Sequence, residues 1–209
     1  MNEFEKVFLS NNTTGVNLNS IGHRCKDLNK VNLHNYILFV GDNVCLSYHT
    51  PIEQTFPYLI SQELKVDYYN LAVFNGGMDG VRVNLFSWLF KIKQPPKAII
   101  MACEFANAVM ISGPTLDWIS NADYKNEDVQ KLLSTGNVVG FHNGRRRLLS
   151  SLINQLNYPI YQITFNDKEN LVDATNVINL SFNGDIFNQQ GIADLVVNTM
   201  KEKSSSIRP

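Results

Sequence analysis

The sequence brings together only a few side chains that could carry out covalent chemistry. Cys45, Ser47 and His49 stand at alternate positions shortly after an apolar run, 36–40. A thiol or hydroxyl nucleophile needs a base, and the two groups must approach to about 3 Å to form a productive pair. His142 is a second candidate base, and Cys45 is more typical of a small packing residue. The sequence therefore offers a nucleophile and a base without showing that they meet.

Metal and cofactor chemistry have no support in the sequence. The His, Asp and Glu residues show no metal-ligand spacing, and Cys25, Cys45 and Cys103 contain no CxxC pair. Gly76-Gly77 is a turn signal and not a phosphate-binding loop. We therefore expect neither a metal nor a cofactor. An odd number of cysteines without disulfide spacing indicates a chain made in a reducing cytosol.

The composition predicts one ordinary folded domain and excludes several classes of partner. The chain has 209 residues, of which 44% are hydrophobic and 18% charged, which suits a single well-filled core. Its formal net charge of −1 gives no reason to expect nucleic acid as a partner. No apolar run approaches the roughly 20 residues of a membrane span, and residues 1–6 do not resemble a secretory signal.

Strands and helices are predicted to alternate along the chain and to position these residues. Apolar runs predict strands at 36–40, 66–73, 98–103, 159–163 and 177–180, and helical periodicity predicts helices at 51–64, 81–92, 138–156 and 189–203. This alternation predicts an α/β three-layer sandwich with a central, mainly parallel sheet and helices on both faces. We expect residues 1–35 to form an N-terminal arm, 36–203 a single domain and 204–209 a disordered tail.

Polar residues gather at the predicted carboxyl ends of the strands, where parallel sheets bind ligands. The segments are Gly41-Asp42-Asn43, Asn75-Gly76-Gly77, Cys103-Glu104-Phe105 and Asn183-Gly184-Asp185. Carboxylate and amide groups beside an aromatic face suit a hydroxyl-rich ligand such as a sugar. The same polar groups could instead cap strand ends and satisfy loop backbone, so both interpretations stay open.

These four segments, taken with their neighbours and in chain order, resemble the sequence blocks of the SGNH (GDSL-type) hydrolases. They are Phe39–Asn43 with 55–59 after it, Asn70–Gly77, Ile99–Phe105 and Asn183–Gly191. The resemblance implies an SGNH/flavodoxin-like fold from about residue 36 onward. It also implies an esterase site with a serine nucleophile, a histidine base, an orienting aspartate and oxyanion donors. The N-terminal segment Asn19–Arg24 is similar to SGNH-like proteins encoded by viruses of marine bacteria.

The residues at the family's catalytic positions depart from the family's pattern. The positions of the serine, the histidine, the aspartate and the third-block asparagine hold Asn43, Ile186, Asn183 and Phe105. An asparagine amide is not a useful nucleophile, and an isoleucine cannot accept a proton. The oxyanion glycine alone agrees, at Gly76 or Gly77.

No other alignment of the last block restores the base. Taking Asp185 as the acid places Asn188 at the histidine position, and no histidine follows His142. Ser47 falls where the family often has glycine. We therefore predict that the triad positions are catalytically inactive. The minor alternative is catalysis by Ser47 or Cys45 as nucleophile with His49 or His142 as base.

The sequence thus predicts a non-catalytic SGNH-fold protein that serves as a structural or attachment component, with a virus particle as its suggested setting. The candidate ligand-binding residues are Asp42, Asn43, Asn75, Gly76, Gly77, Phe105 and Asn183. The alternatives are an esterase or acetyl-hydrolase acting on a glycan and a carbohydrate-binding module. We expect a protein partner or self-association through the arm 1–35 and the loop 104–125, whose Trp118 suits an interface. Packing of this loop onto its own domain is the open alternative.

Overall fold

The predicted apolar runs form one parallel sheet. The computed structural model describes residues 18–73, 77–103, 146–166, 170 and 172–206. The strands are β1 (Tyr36–Gly41), β2 (Asp67–Asn70), β3 (Ala98–Ala102), β4 (Ile160–Phe165) and β5 (Val177–Phe182). They lie in the order β2-β1-β3-β4-β5, and each neighbouring pair is parallel. The predicted parallel sheet is confirmed.

Helices connect these strands. Within the described residues they are α1 (Asn43–Leu46), α2 (Phe56–Leu64), α3 (Gly77–Lys91), the helical residues 146–153 (α4) and α5 (Gln189–Ser206). The sequence predicted a helix from residue 51, but Ile52–Gln54 form a 3-10 turn and α2 starts only at Phe56. Pro57 explains the start, because proline is tolerated in the first turn of a helix but not further inside it.

The centre of the sheet is covered on both faces. Every residue of β1, β3 and β4 is buried, which explains why these strands are the unbroken apolar runs of the sequence. α2 packs against α5, and α3 packs against β1. The sheet order places β2 on one side of β1 and β3 on the other. The carboxyl ends of β1 and β3 therefore flank the topological switch point, where ligands bind in such folds.

Gly41 allows β1 and β3 to approach each other closely at this point. A Cβ atom at Gly41 would lie 1.9 Å from the carbonyl oxygen of Ala102 and 2.9 Å from the Cβ of Cys45. The backbone N–H of Asp42 donates to the same Ala102 oxygen at 3.3 Å. Only a residue without a side chain fits between these strands.

The described part of the predicted N-terminal arm packs into the domain. Cys25 and Val31 belong to the buried core, and Arg24 is buried as well. Lys26 forms an ion pair with Asp67 of β2, with 2.6 Å between Nζ and Oδ1. The division between arm and domain at residue 35 stays a prediction, although 18–35 contribute to the core. At the other end α5 extends to Ser206, into the predicted tail of 204–209.

Candidate functional site

A pocket of about 210 Å³ lies beyond the carboxyl end of β1. It is formed by the segment that follows β1 and by the segment that leads into α5. Its lining residues are Asn43, Val44, Ser47, Tyr48, His49, Thr50, Ile186, Phe187 and Gln189. The site therefore lies where the sheet topology places ligand sites in parallel α/β folds.

The structure brings together two of the positions that the sequence alignment matched to the catalytic residues. Asn43, the first residue of α1, and Ile186 line the same pocket although they are far apart in the chain. Asn183 is exposed and does not line this pocket. Asn75, Gly76 and Phe105 lie outside the described residues.

Asp42 and Gly77 are two more of the predicted ligand-binding residues that the structure describes. Asp42 was expected among the ligand-binding groups, but it is fully buried and does not line the pocket. Its carboxylate accepts a hydrogen bond from the N–H of Val44 at 3.2 Å and so caps α1. Gly77 is the first residue of α3. Asp42 therefore caps α1 beneath the pocket, and a role toward a ligand stays a prediction.

Ser47 is the buried hydroxyl of the pocket, and its neighbours are acceptors. Its Oγ lies 2.8 Å from Oε1 of Gln189 and 2.6 Å from the carbonyl oxygen of Val44. Both partners are acceptors, so they compete for the single Ser47 proton, and neither of these amide oxygens is a base. Ser47 also adopts the left-handed conformation, with φ 51° and ψ 41°. Glycine adopts this conformation more easily than serine does.

Gln189 joins three elements around the pocket, and sequence reasoning did not single it out. Its Oε1 accepts from Ser47 and from the backbone N–H of Phe56 at 3.0 Å, while Nε2 donates to the carbonyl of Ile186 at 3.3 Å. Thr55, the N-cap residue of α2, makes no side-chain capping bond, so Gln189 supplies that acceptor. No local sequence signal reveals this role, because Ser47 and Gln189 are 142 residues apart.

Aromatic rings form the open rim of the pocket. The ring centroids of Tyr48 and His49 are 3.9 Å apart, and those of His49 and Phe187 are 6.2 Å apart with the rings nearly perpendicular. His49 is exposed, and Phe187 keeps 63% of its surface accessible. In the described structure no hydrogen bond joins the His49 ring to Ser47. The rim is a surface of aromatic rings next to amide groups.

Cys45 is not available as a nucleophile in this structure. It is fully buried, does not line the pocket, and places its Sγ 3.6 Å from Oδ1 of Asn70. Burial raises the pKa of its thiol well above the ordinary value, and the Asp42 charge adds to the shift. A thiol held in the protonated form is a poor nucleophile. Of the predicted nucleophiles, only Ser47 reaches the pocket.

Nothing in the described part of the chain gathers three metal-binding side chains of the His, Cys, Asp or Glu type. Among the helices of that same part, none is long and apolar enough to cross a bilayer. The site is therefore described by its amide, hydroxyl and aromatic groups.

No family model matches this sequence, and no curated protein matches it either. Solved structures do match. The psychrotrophic esterase EstA from Pseudoalteromonas sp., in a structure inhibited by monoethylphosphonate, is 12% identical over 82% of this chain and 99% of its own, with a TM-score of 0.51. The chain has an SGNH/GDSL-like α/β fold.

Two further structures are similar at lower TM-scores. A carbohydrate esterase family 2 enzyme with a carbohydrate binding domain, from Corynascus thermopiles (Myceliophthora fergusii), is 10% identical over 80% of this chain and 66% of its own, with a TM-score of 0.49. A member of the lipolytic protein G-D-S-L family from Veillonella parvula is 12% identical over 82% of this chain and 72% of its own, with a TM-score of 0.35. At such identities the similarity concerns the fold, and the activity has to be argued from the site.

Proposed function

We propose that this chain is a non-catalytic SGNH-fold protein that binds a ligand in the pocket beyond β1 and serves as an attachment component. The observation that carries the proposal is the environment of Ser47. Its hydroxyl faces the acceptor Oε1 of Gln189, whose amide cannot take a proton at neutral pH. Asn43 and Ile186, also in the pocket, supply neither a nucleophile nor a base.

The same pocket has groups that suit binding of a sugar residue. The rings of His49 and Phe187 provide an exposed aromatic surface on which the apolar face of a sugar can stack. Asn43 contributes an amide, which can both donate to and accept from hydroxyls. Pockets for drug-sized ligands have volumes of roughly 300–1,000 Å³, so a pocket of about 210 Å³ suits a single small ring.

Other parts of the proposal rest on the sequence. The similarity of Asn19–Arg24 to virus-encoded proteins suggests a virus particle as the place of attachment, and the loop 104–125 with Trp118 suggests a protein partner or self-association. The cysteines support production in a reducing cytosol, because Cys25, Cys45 and Cys103 are all free and buried.

Two assays test the proposal together. Purified protein should hydrolyse short acyl esters no faster than buffer and should not react with a fluorophosphonate probe. On a glycan array, the wild type should bind a subset of sugars, and the double variant His49→Ala, Phe187→Ala should lose that binding. Phe90→Ala is the matched control, since Phe90 is 78% exposed on α3 and does not line the pocket. Probe labelling of the wild type, or array binding that survives the double substitution, would contradict the proposal.

An esterase that uses Ser47 is the second candidate, because Ser47 and His49 line one pocket. It requires the hydroxyl to leave Gln189 and the exposed His49 ring to turn toward it. This candidate predicts fluorophosphonate labelling that disappears in Ser47→Ala and falls strongly in His49→Gln. The two candidates therefore give opposite results in the same experiment.

A further inference from the structure

Arg24 is a buried cation in the segment that the sequence predicted as a surface arm. Only 3% of the residue is accessible. Its Nη1 donates to the carbonyls of Leu46, at 2.8 Å, and of Ser47, and its Nη2 donates to the carbonyl of Thr50. Leu46 and Ser47 stand at the carboxyl end of α1, where helix carbonyls lack partners within the helix. The guanidinium therefore satisfies backbone acceptors that α1 and the turn after it leave open.

This burial is unfavourable for the charge unless those contacts compensate it. Burial lowers the pKa of the Arg24 guanidinium, and the charges of Tyr68 and Glu53 act in the opposite direction. Its buried Nε has no acceptor among the described residues. The guanidinium donates from separate nitrogens in a rigid plane, here Nη1 and Nη2, whereas an ammonium group has all its donors on one nitrogen. The geometry thus uses a property that is specific to arginine.

The carbonyls that Arg24 holds bracket the segment 47–50, which lines the pocket. Ser47, Tyr48, His49 and Thr50 all belong to that lining. Ser47 sits in the left-handed conformation, and Thr50 donates its N–H to the Ser47 carbonyl at 3.0 Å. The position of the His49 ring against Phe187 depends on where this turn lies. Arg24 therefore acts on the aromatic rim indirectly, through the backbone of the turn that carries His49.

We propose that Arg24 is a positioning residue of the pocket, which fixes the turn 46–50 and through it the aromatic rim. The segment around Arg24 is then part of the binding site and not an accessory arm. The inference rests on the proposed function only in treating the pocket as a ligand site. The positions of the turn 46–50 and of the His49 ring can be measured without a ligand.

Neighbouring contacts hold this segment in place independently of Arg24. Cys25 Sγ accepts from the N–H of Asn70 at 3.5 Å, and His23 Nδ1 lies 3.0 Å from the Tyr69 hydroxyl. Lys26 pairs with Asp67. Replacing Arg24 therefore removes the contacts to the turn while the segment keeps its attachment to β2.

The test compares Arg24→Met with Lys26→Met by NMR, using protein labelled on its histidine and phenylalanine rings. His49→Gln and Phe187→Leu assign the two rings. Wild type and Lys26→Met should show the His49–Phe187 ring contact as a nuclear Overhauser effect, together with a ring-current displacement of the His49 signals. Arg24→Met should lose both while keeping the signals of its buried core. Ile153→Val, a core change in α4, controls for lowered stability as such.

An unchanged His49–Phe187 contact in folded Arg24→Met would overturn the inference, whatever the glycan array shows. If Arg24→Met does not fold, amide hydrogen exchange of the wild type and of Arg24→Lys tests the inference instead. The amides of Ser47 and Thr50 should be strongly protected in the wild type and should lose at least tenfold of that protection in Arg24→Lys, with β1 unchanged. Fast exchange of these amides in the wild type, or equal protection in Arg24→Lys, would refute the positioning role.

Discussion

Replacing Gly41 by alanine is the sharpest test of how the sheet builds the site. The added Cβ would lie 1.9 Å from the Ala102 oxygen, whereas carbon and oxygen atoms in contact normally stay more than 3 Å apart. This oxygen cannot turn away, because it belongs to the backbone of β3. The strands must therefore separate at the point where β1 ends.

The expected cost follows from what that separation breaks. Moving β1 away from β3 strains the hydrogen bond from Asp42 N–H to the Ala102 carbonyl, worth about 1 kcal/mol, with a similar cost for each buried group left without a partner. Overpacking of a full core adds about 1–3 kcal/mol. We expect the free energy of unfolding to fall by about 3–5 kcal/mol, a large part of the roughly 5–15 kcal/mol typical of a domain.

Urea unfolding followed by circular dichroism measures this loss. Gly184→Ala is the control, because its Cβ would meet only the Phe182 ring, at 3.2 Å, and this edge-strand side chain can shift. The control should change the free energy of unfolding by less than about 1 kcal/mol. A Gly41→Ala protein as stable as the control would refute the close approach of β1 and β3 that the site depends on.

Three further substitutions test the site and its supports. Lys65→Gly should raise the free energy of unfolding by about 0.5–1 kcal/mol in urea titration, because Lys65 ends α2 in the left-handed conformation with φ 53°. Gln189→Leu should lower it by about 1–3 kcal/mol in the same titration, since the Phe56 N–H and the Ser47 hydroxyl lose their common acceptor. His23 has a pKa lowered by burial, so the unfolded chain binds more protons below about pH 6.5 and stability should fall there. Thermal unfolding from pH 7.5 to 5 should show that fall, and His23→Gln should reduce its slope.

Each of these has an outcome that contradicts it. A Lys65→Gly protein less stable than wild type would mean that the lysine side chain contributes more than its backbone strain costs. A Gln189→Leu protein as stable as the wild type would contradict the capping role. A His23→Gln protein with the wild-type slope below pH 6.5 would assign the acid dependence to other groups.

Much of the fold could be predicted because it depends on local patterns. β1, β3 and β4 are buried on both faces, so they appear in the sequence as unbroken apolar runs. α3 and α5 lie where apolar residues recur at helical spacing. Strand–helix alternation then leaves a parallel sheet as the natural arrangement, and a parallel sheet places its ligand site at the carboxyl ends. The joint location of Asn43 and Ile186 follows from these steps.

Contacts between distant side chains and backbone could not be predicted. Arg24 belongs to the predicted N-terminal arm, and its burial becomes favourable only when the turn 46–50 presents carbonyls to it. The sequence also did not predict that the buried Asp42 carboxylate caps α1. Gln189 has no local signal at all.

The sequence by itself determined the parallel sheet, the end of it that carries the site, and the absence of serine and histidine from two positions of the pocket, Asn43 and Ile186. These depend on residue type and spacing, which act over a few residues. The tertiary structure alone decided that Ser47 donates to Gln189, that His49 meets Phe187, and that Arg24 donates to carbonyls of the turn 46–50. Hydrogen bonds and ring contacts of this kind require groups within a few ångströms of each other, and only folding brings such distant parts of the chain together.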